Sequence, residues 1–383
     1  MFGIFRHWPL ELNWRLIMKR IISFILIALM VLCNISVFAA DINAVNLITS
    51  YTADYIYQIV NNPQVASIGG EWAVIGLARS GTDIHDEYYQ NYYDTVQNYV
   101  EQCDGIMHVK KYTEYSRVIL ALTAIGKNPA DVAGYNLLMP LGDYEKTIWQ
   151  GINGSIWALI ALDSNNYEIP QNPNADIQAT REMYINHIVD NQNADGGWAL
   201  SGDISDADVT AMALVALSKY QYMESVKSAI EKAVEFMSQN QKENGGFSSC
   251  GEENAESSAQ MIMALCELGI SIDDSRFVKN GNTILDNMLA YYQQGFKHTV
   301  DGTVNQMATE QCFLALSALK RFNEGKNSLY NMSDEGYVLE SEDNSMDILD
   351  NNKISSAMYP FKTFSSLFAM RYKYFPKIYI PKP

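Results

Sequence analysis

Basic residues are in short supply. The 383-residue chain carries 27 Lys and Arg against 44 Asp and Glu, a formal net charge of −17. A surface of that sign repels phosphate backbones, so nucleic acid is not an expected partner. Histidine is rarer still, with five residues, and His187 and His298 stand alone in sequence. Each reads as a surface or internally satisfied group rather than a metal ligand. The five cysteines are too few and too far apart to form a disulfide scaffold. Cys266 and Cys312 lie inside apolar runs and read as small core residues; one disulfide among Cys103, Cys250, Cys266 and Cys312 is allowed, with its pairing open. No stretch after the first 40 residues is long and apolar enough to span a bilayer. What the chain does have is a 48% hydrophobic content, enough for one large buried core or two ordinary ones.

The N-terminal stretch "MKRIISFILIALMVLCNISVFAAD" (18–41) has a basic start, an apolar centre and small residues at its end. That is the pattern of a secretory signal. Val37 and Ala39 suit the −3 and −1 positions, so cleavage is expected after Ala39, with Met18 the natural start and 1–17 an upstream extension. Leu32 ahead of Cys33 is too bulky for a lipid-attachment site. The expected organisation is a leader over 1–39, a helical domain over 40–325 and an acidic loop and tail over 326–383, the mature protein being secreted or cell-surface and free of the membrane.

An internal repeat organises the rest. "QNADGGWAL" (192–200) and "QKENGGFSS" (241–249) place a Gln at the same distance ahead of Gly-Gly-aromatic. Around them, six Ala/Leu-rich segments recur: 71–81, 114–126, 154–164, 207–219, 255–269 and 308–322. Each is apolar nearly all round and must be buried on most sides. The helices before them are expected to be longer and wetter, as in "SVKSAIEKAVEFMSQNQ" (225–241), where Ala229, Ala233, Phe236 and Met237 share a face. Gly154, Gly197, Gly246 and Gly295 step by 43, 49 and 49 residues, a period that means stacked helical hairpins. The expected fold is all-α, an (α/α)6 toroid of six hairpins with the Ala/Leu-rich helices inside; an open superhelix is the alternative. The Gly pair permits positive φ, the aromatic fills the groove between hairpins, and the Gln serves backbone groups at the turn.

At these motifs, "FMSQNQKENGGF" and "IVDNQNADGGW", the chain resembles the prenyltransferase and squalene-cyclase repeat superfamily over roughly residues 46–325. It is most similar to secreted terpene-cyclase-like members, and "GINGSIWALIALDS", "DADVTAMALVAL" and "NQMATEQ" fit that pattern. The cobalamin carriers, intrinsic factor and transcobalamin, use a similar toroid. The resemblance implies the fold; it leaves function open, because the superfamily contains cyclases, transferases, thioester proteins and carriers.

Each of those chemistries can be tested against the residues. Class II cyclases protonate an alkene with an Asp-x-Asp-Asp motif; here Asp206 and Asp208 fill two places, but Val209 replaces the final Asp. Glu310 and Cys312 imitate part of a zinc set, yet no His follows them. "SSCGEEN" imitates a thioester motif but offers Glu253 where an amide is needed. No metal or cofactor is therefore expected. Aligning the inner helices on Ala216, Ala264 and Ala318 puts Asp208, Glu256 and Glu310 at one position, eight residues earlier, with Glu114 one place off. Those acids either cap helices or form a ligand-binding rim, with Trp72, Trp157, Gln150 and Asn153 beside them. Arg117, one turn from Glu114, is expected to pair with it. The favoured expectation is a non-catalytic module binding a small molecule (amide-rich, corrinoid-like or isoprenoid) or a protein at the cavity mouth. The alternative is a class II cyclase-type enzyme acting through Asp206 and Asp208. An enzyme acting on polysaccharide would need paired acids over an aromatic platform that the sequence does not offer.

Overall fold

The computed structural model describes residues 43–334. The leader with its Ala39 cleavage site, and the tail beyond residue 334, lie outside the described residues. The chain is mostly helical: α1 (43–59), α2 (Glu71–Arg79), α3 (Asp86–Gln102), α4 (Thr113–Ala124), α5 (Tyr144–Thr147), α6 (Ile152–Asp163), α7 (Arg181–Asp190), α8 (Ala207–Leu217), α9 (Glu224–Asn240), α10 (Ala255–Leu268), α11 (Ile284–Leu289) and α12 (Gln306–Asn323). Strand structure among the described residues is limited to two-residue pairs, Ser248–Ser249 with Glu252–Glu253 and Tyr292–Gln293 with Gly295–Phe296.

The six even-numbered helices coincide with the six Ala/Leu-rich segments. They are buried on nearly every side, as in α6, where eleven of twelve residues are buried. They pack in cyclic order: α2 on α4, α4 on α6, α6 on α8, α8 on α10, α10 on α12, and α12 back on α2. Small residues permit the closest approaches. A Cβ on Gly76 of α2 would stand 2.6 Å from the Phe313 ring of α12. The odd-numbered helices are amphipathic. α9 buries Ala229, Ala233 and Met237 and leaves Glu231 and Glu235 in solvent. They are not uniformly long, however: α5 has four residues and α11 has six.

The repeated turn works through a division of labour between its two glycines. Gly196 and Gly245 take positive φ (95° and 87°), and Gln294 takes the same role in the third copy at 66°. The following Gly197, Gly246 and Gly295 are needed for space: a Cβ there would lie 2.6 Å from Ser205, 2.5 Å from Asn287 and 2.7 Å from Val304. Trp198, Phe247 and Phe296 are fully buried behind them. Gln241 Nε2 donates to the carbonyls of Gly245 and Phe277, both at 2.9 Å, and Gln192 Nε2 donates to those of Gly196 and Ala229 at 2.7 and 2.8 Å. Each glutamine so ties its own turn to the next hairpin. Gly154 does not belong to this series. It is the third residue of α6, where its lack of a Cβ lets the Thr147 carbonyl approach.

Candidate functional site

The apolar helices meet N-terminal end to N-terminal end, as contacts between their starts and their neighbours' lead-in loops show for four neighbouring pairs. Thr113 N donates to Gln150 Oε1, Cys250 N to Asp206 Oδ2, Ala255 N to the His298 carbonyl, and Gly69 N to Glu310 Oε1. In the first halves of these helices Trp72, Glu114, Arg117, Asn153, Asp208, Met212, Gln260 and Gln311 are partly exposed. Gln260 and Gln311 meet across α10 and α12, Nε2 to Oε1, at 3.1 Å.

Two polar groups occupy this end. The first joins α8 and α10. Asp206 is the N-cap of α8, its Oδ1 accepting from the amides of Asp208 and Val209 at 2.9 and 3.2 Å. Its Oδ2 accepts from Ser249 Oγ at 2.7 Å and from Cys250 N at 3.2 Å, so both oxygens are engaged in structure. Asp208 differs. Burial, with the neighbouring Asp206 and Glu256 carboxylates, pushes its carboxyl up to about 6 against the opposing pull of the Ser257 and Ser249 hydroxyls; Oδ1 itself is buried without a hydrogen-bond partner among the described residues. Glu256 accepts from His298 Nδ1 at 2.9 Å on both oxygens. Burial still raises the Glu256 carboxyl, against the pull of His298. Partial burial draws His298 down, but the carboxylates of Glu256 and Glu252 outweigh it and raise the imidazole. His298 is thus an internally satisfied group, joined to the rim by a contact 42 residues away in sequence.

The second group joins α2, α4 and α12. Glu71, absent from the candidate residues drawn from sequence, is fully buried; its Oε1 accepts from Ala66 N at 2.6 Å, and its Oε2 lies 3.8 Å from Arg117 Nε. Arg117 therefore pairs across helices with Glu71 rather than along its own helix with Glu114, which instead stands 3.9 Å from Lys111 Nζ. The guanidinium also lies 5.9 Å over the Trp72 ring. Trp72 in turn packs against Trp157, ring centroids 5.1 Å apart. Glu310 is 1% exposed, and burial with the nearby Glu71 carboxylate pushes it up to about 7. Its Oε1 accepts from Gly69 N and Gln306 Nε2; Oε2 is buried with no hydrogen-bond partner among the described residues.

The three aligned acids are not in register. Asp206, Asn254 and Asn305 are the N-caps of α8, α10 and α12. Asp208 and Glu256 each stand two residues past their cap, whereas Glu310 stands five past its own, with Met307 at the matching place. Glu310 is consequently one turn deeper, under the 64–70 loop. Gln150 holds the start of α4, and Asn153 is half-buried beside it in sequence at the start of α6.

The opposite end of the six helices is covered by residues 326–334. Leu329, Tyr330 and Met332 are buried. Tyr330 sets its ring edge-on to Trp157 at 6.3 Å, and its amide donates to Glu267 of α10. Arg79 at the end of α2 donates to the carbonyls of Ser328, Leu329 and Asn331, and Met332 N donates to the Ser164 carbonyl beyond α6. Tyr330, Trp157, Trp72 and Arg117 form a continuous run of ring contacts leading toward the N-terminal end.

A separate cleft of about 460 Å³ lies between α7 and α9, lined by Gln192, Asn193, Ser225, Ser228 and Lys232. Ser155 Oγ and His187 Nδ1 meet at 2.8 Å, but Ser155 is fully buried, which makes the pair structural. Cys103, Cys250, Cys266 and Cys312 are unpaired. Among the described residues no group of three or more His, Cys, Asp or Glu converges as metal ligands would, and no helix is long and apolar enough to cross a membrane. Compared with known protein families and with curated proteins, the chain finds no match.

Proposed function

We propose that the helices form a closed (α/α)6 toroid of six hairpins, exported from the cell, which binds a ligand at the mouth formed by the N-terminal turns of its inner helices. The cyclic packing of the six apolar helices supports the toroid. One observation carries the binding reading. At the N-terminal end, Asp208 Oδ1 and Glu310 Oε2 are buried without hydrogen-bond partners among the described residues, Glu71 Oε2 meets only Arg117 at 3.8 Å, and the Trp72 and Trp157 rings pack together, while 326–334 covers the other end. A buried oxygen left unpaired costs roughly 1–3 kcal/mol, a cost that a donor from a ligand removes. The ligand chemistry that suits the mouth is therefore amide or ammonium donors on a body with an apolar face. A corrinoid-like or other amide-rich molecule meets that description; a bare isoprenoid meets only its apolar half.

The cyclase-type alternative rests on Asp208, whose raised carboxyl holds a proton more readily than an ordinary aspartate. Against it, Asp206 is committed through both oxygens, so the motif's first carboxylate serves the α8 cap and the 249–250 loop.

Native mass spectrometry of the purified chain tests the reading. The expectation is a non-covalent small molecule retained by wild type and lost in Trp72→Ala and Asp208→Asn. Turnover of a polyprene that disappears in Asp208→Asn would replace the binding reading with the cyclase one.

A further inference from the structure

Exposed large apolar side chains are unevenly distributed. Five of the six loops that lead into the apolar helices carry one: Ile68, Val109, Trp149, Leu200, Ile204 and Val300 are all exposed. The loops at the opposite end present only Ile177 and Tyr222 in this way among the described residues. Single exposed apolar residues are ordinary, but a grouping round one opening marks an interaction surface.

The densest part lies beside α6 and α8. Trp149, Leu200 and Ile204 are 65%, 57% and 87% exposed. The Leu200 carbonyl lies 3.8 Å from where a Cβ on Gly151 would stand, so the loop holding Leu200 and Ile204 abuts the turn holding Trp149. Lys110 Nζ lies 4.8 Å from the centre of the Trp149 ring, which is itself 65% exposed. The same margin is acidic. Asp203 is exposed between Leu200 and Ile204, and Glu252, 3.6 Å from His298 Nε2, is exposed on the adjoining loop.

We propose that Trp149, Leu200 and Ile204 dock a peptide segment of a partner protein in which a Lys or Arg is flanked by apolar side chains. The apolar residues of the peptide cover the Trp149, Leu200 and Ile204 surface, and its basic side chain meets the exposed Asp203 and Glu252 carboxylates. A net charge of −17 opposes docking on an anionic membrane, which the apolar residues alone would allow. This proposal rests on the reading of the mouth as a binding site and names one partner for it. Trp at such a centre is the residue type that most often dominates docking energy.

The test uses the full chain and three fluorescein-labelled synthetic peptides of equal length and spacing: Leu/Lys, Ser/Lys and Leu/Glu. Fluorescence anisotropy should show Leu/Lys binding at least about tenfold tighter than either other peptide. The combined variant Trp149→Ser, Leu200→Ser, Ile204→Ser should weaken it at least about tenfold, with an unchanged circular-dichroism melt because all three side chains are exposed. Equal binding of Ser/Lys, no measurable binding of Leu/Lys, or binding indifferent to the triple variant overturns the proposal. So does a preference of wild type, lost in the variant, for phosphatidylcholine–phosphatidylglycerol vesicles over Leu/Lys. The small molecule retained at Trp72 and Asp208 reports separately on the mouth, since the triple variant should keep it.

Discussion

Arg117 Nε lies 3.8 Å from Oε2 of Glu71, on the neighbouring helix, although Glu114 sits one turn away on its own. The choice follows from burial. Glu71 is wholly removed from water while Glu114 keeps access to it, so the guanidinium gains more by compensating Glu71. Removing one partner should therefore be worse than removing both. Arg117→Leu is expected to cost about 3 kcal/mol, and adding Glu71→Gln should restore most of it. A double-mutant cycle from urea denaturation checks this; additive losses would show that the pair is not coupled.

Buried carboxyls give the protein a pH signature. Burial pushes the Asp208 carboxyl up to about 6 and that of Glu310 up to about 7, both above the ordinary carboxylate range. Groups that hold protons more tightly when folded stabilise at low pH, and that contribution fades as pH rises through their folded values. Stability should thus fall between about pH 4 and about pH 7 and level off above that. Glu310→Gln, which keeps the shape and stays neutral, should flatten its share of the decline and raise stability at pH 8 by on the order of 2 kcal/mol. Urea midpoints measured across that range decide it.

Gln241 serves two carbonyls in a buried turn, and Gln192 serves two in a more open one. Gln241→Ala should cost about 2 kcal/mol from the loss of two hydrogen bonds and the carbonyls left behind. Gln192→Ala should cost less, because water can replace its donor. Comparing the two chemical denaturation curves is sufficient; equal and negligible effects would remove the structural role assigned to the motif.

Tyr330 anchors the 326–334 segment against Trp157 and Glu267. Tyr330→Ala should cost about 3 kcal/mol and raise the exchange rate of amides at the ends of α6 and α10. Hydrogen exchange confined to residues 326–334 would show that the segment covers the helices without supporting them.

Much of this was legible in the sequence. Helices that must be buried all round announce themselves by Ala, Leu and Met with few charges, and all six emerge within two residues of their expected starts or ends. The Gln and Gly-Gly-aromatic motif carried its role on its face, because its second glycine, kept in all three copies, stands where a Cβ would clash, while the positive φ before it is adopted by glycine twice and by Gln294 once. The rim was read less well, for three physical reasons. In a helix buried on every side, alanines three apart satisfy the same environment, so Ala315 fits the alignment with Ala216 and Ala264 as well as Ala318 does; choosing Ala318 displaced Glu310 by one turn. The Glu71–Arg117 and His298–Glu256 pairs are made between helices distant in sequence, where no local pattern records them. The short polar stretch 326–334 resembles a loop because its buried Leu329, Tyr330 and Met332 follow no helical or strand period.

The structure of the chain with its co-purifying small molecule bound is the most direct test of the mouth as the binding site. The account predicts density against Trp72 and Trp157, with a donor on Asp208 Oδ1. Density in the cleft between α7 and α9, against Gln192 and Lys232, with the mouth unchanged, would contradict it.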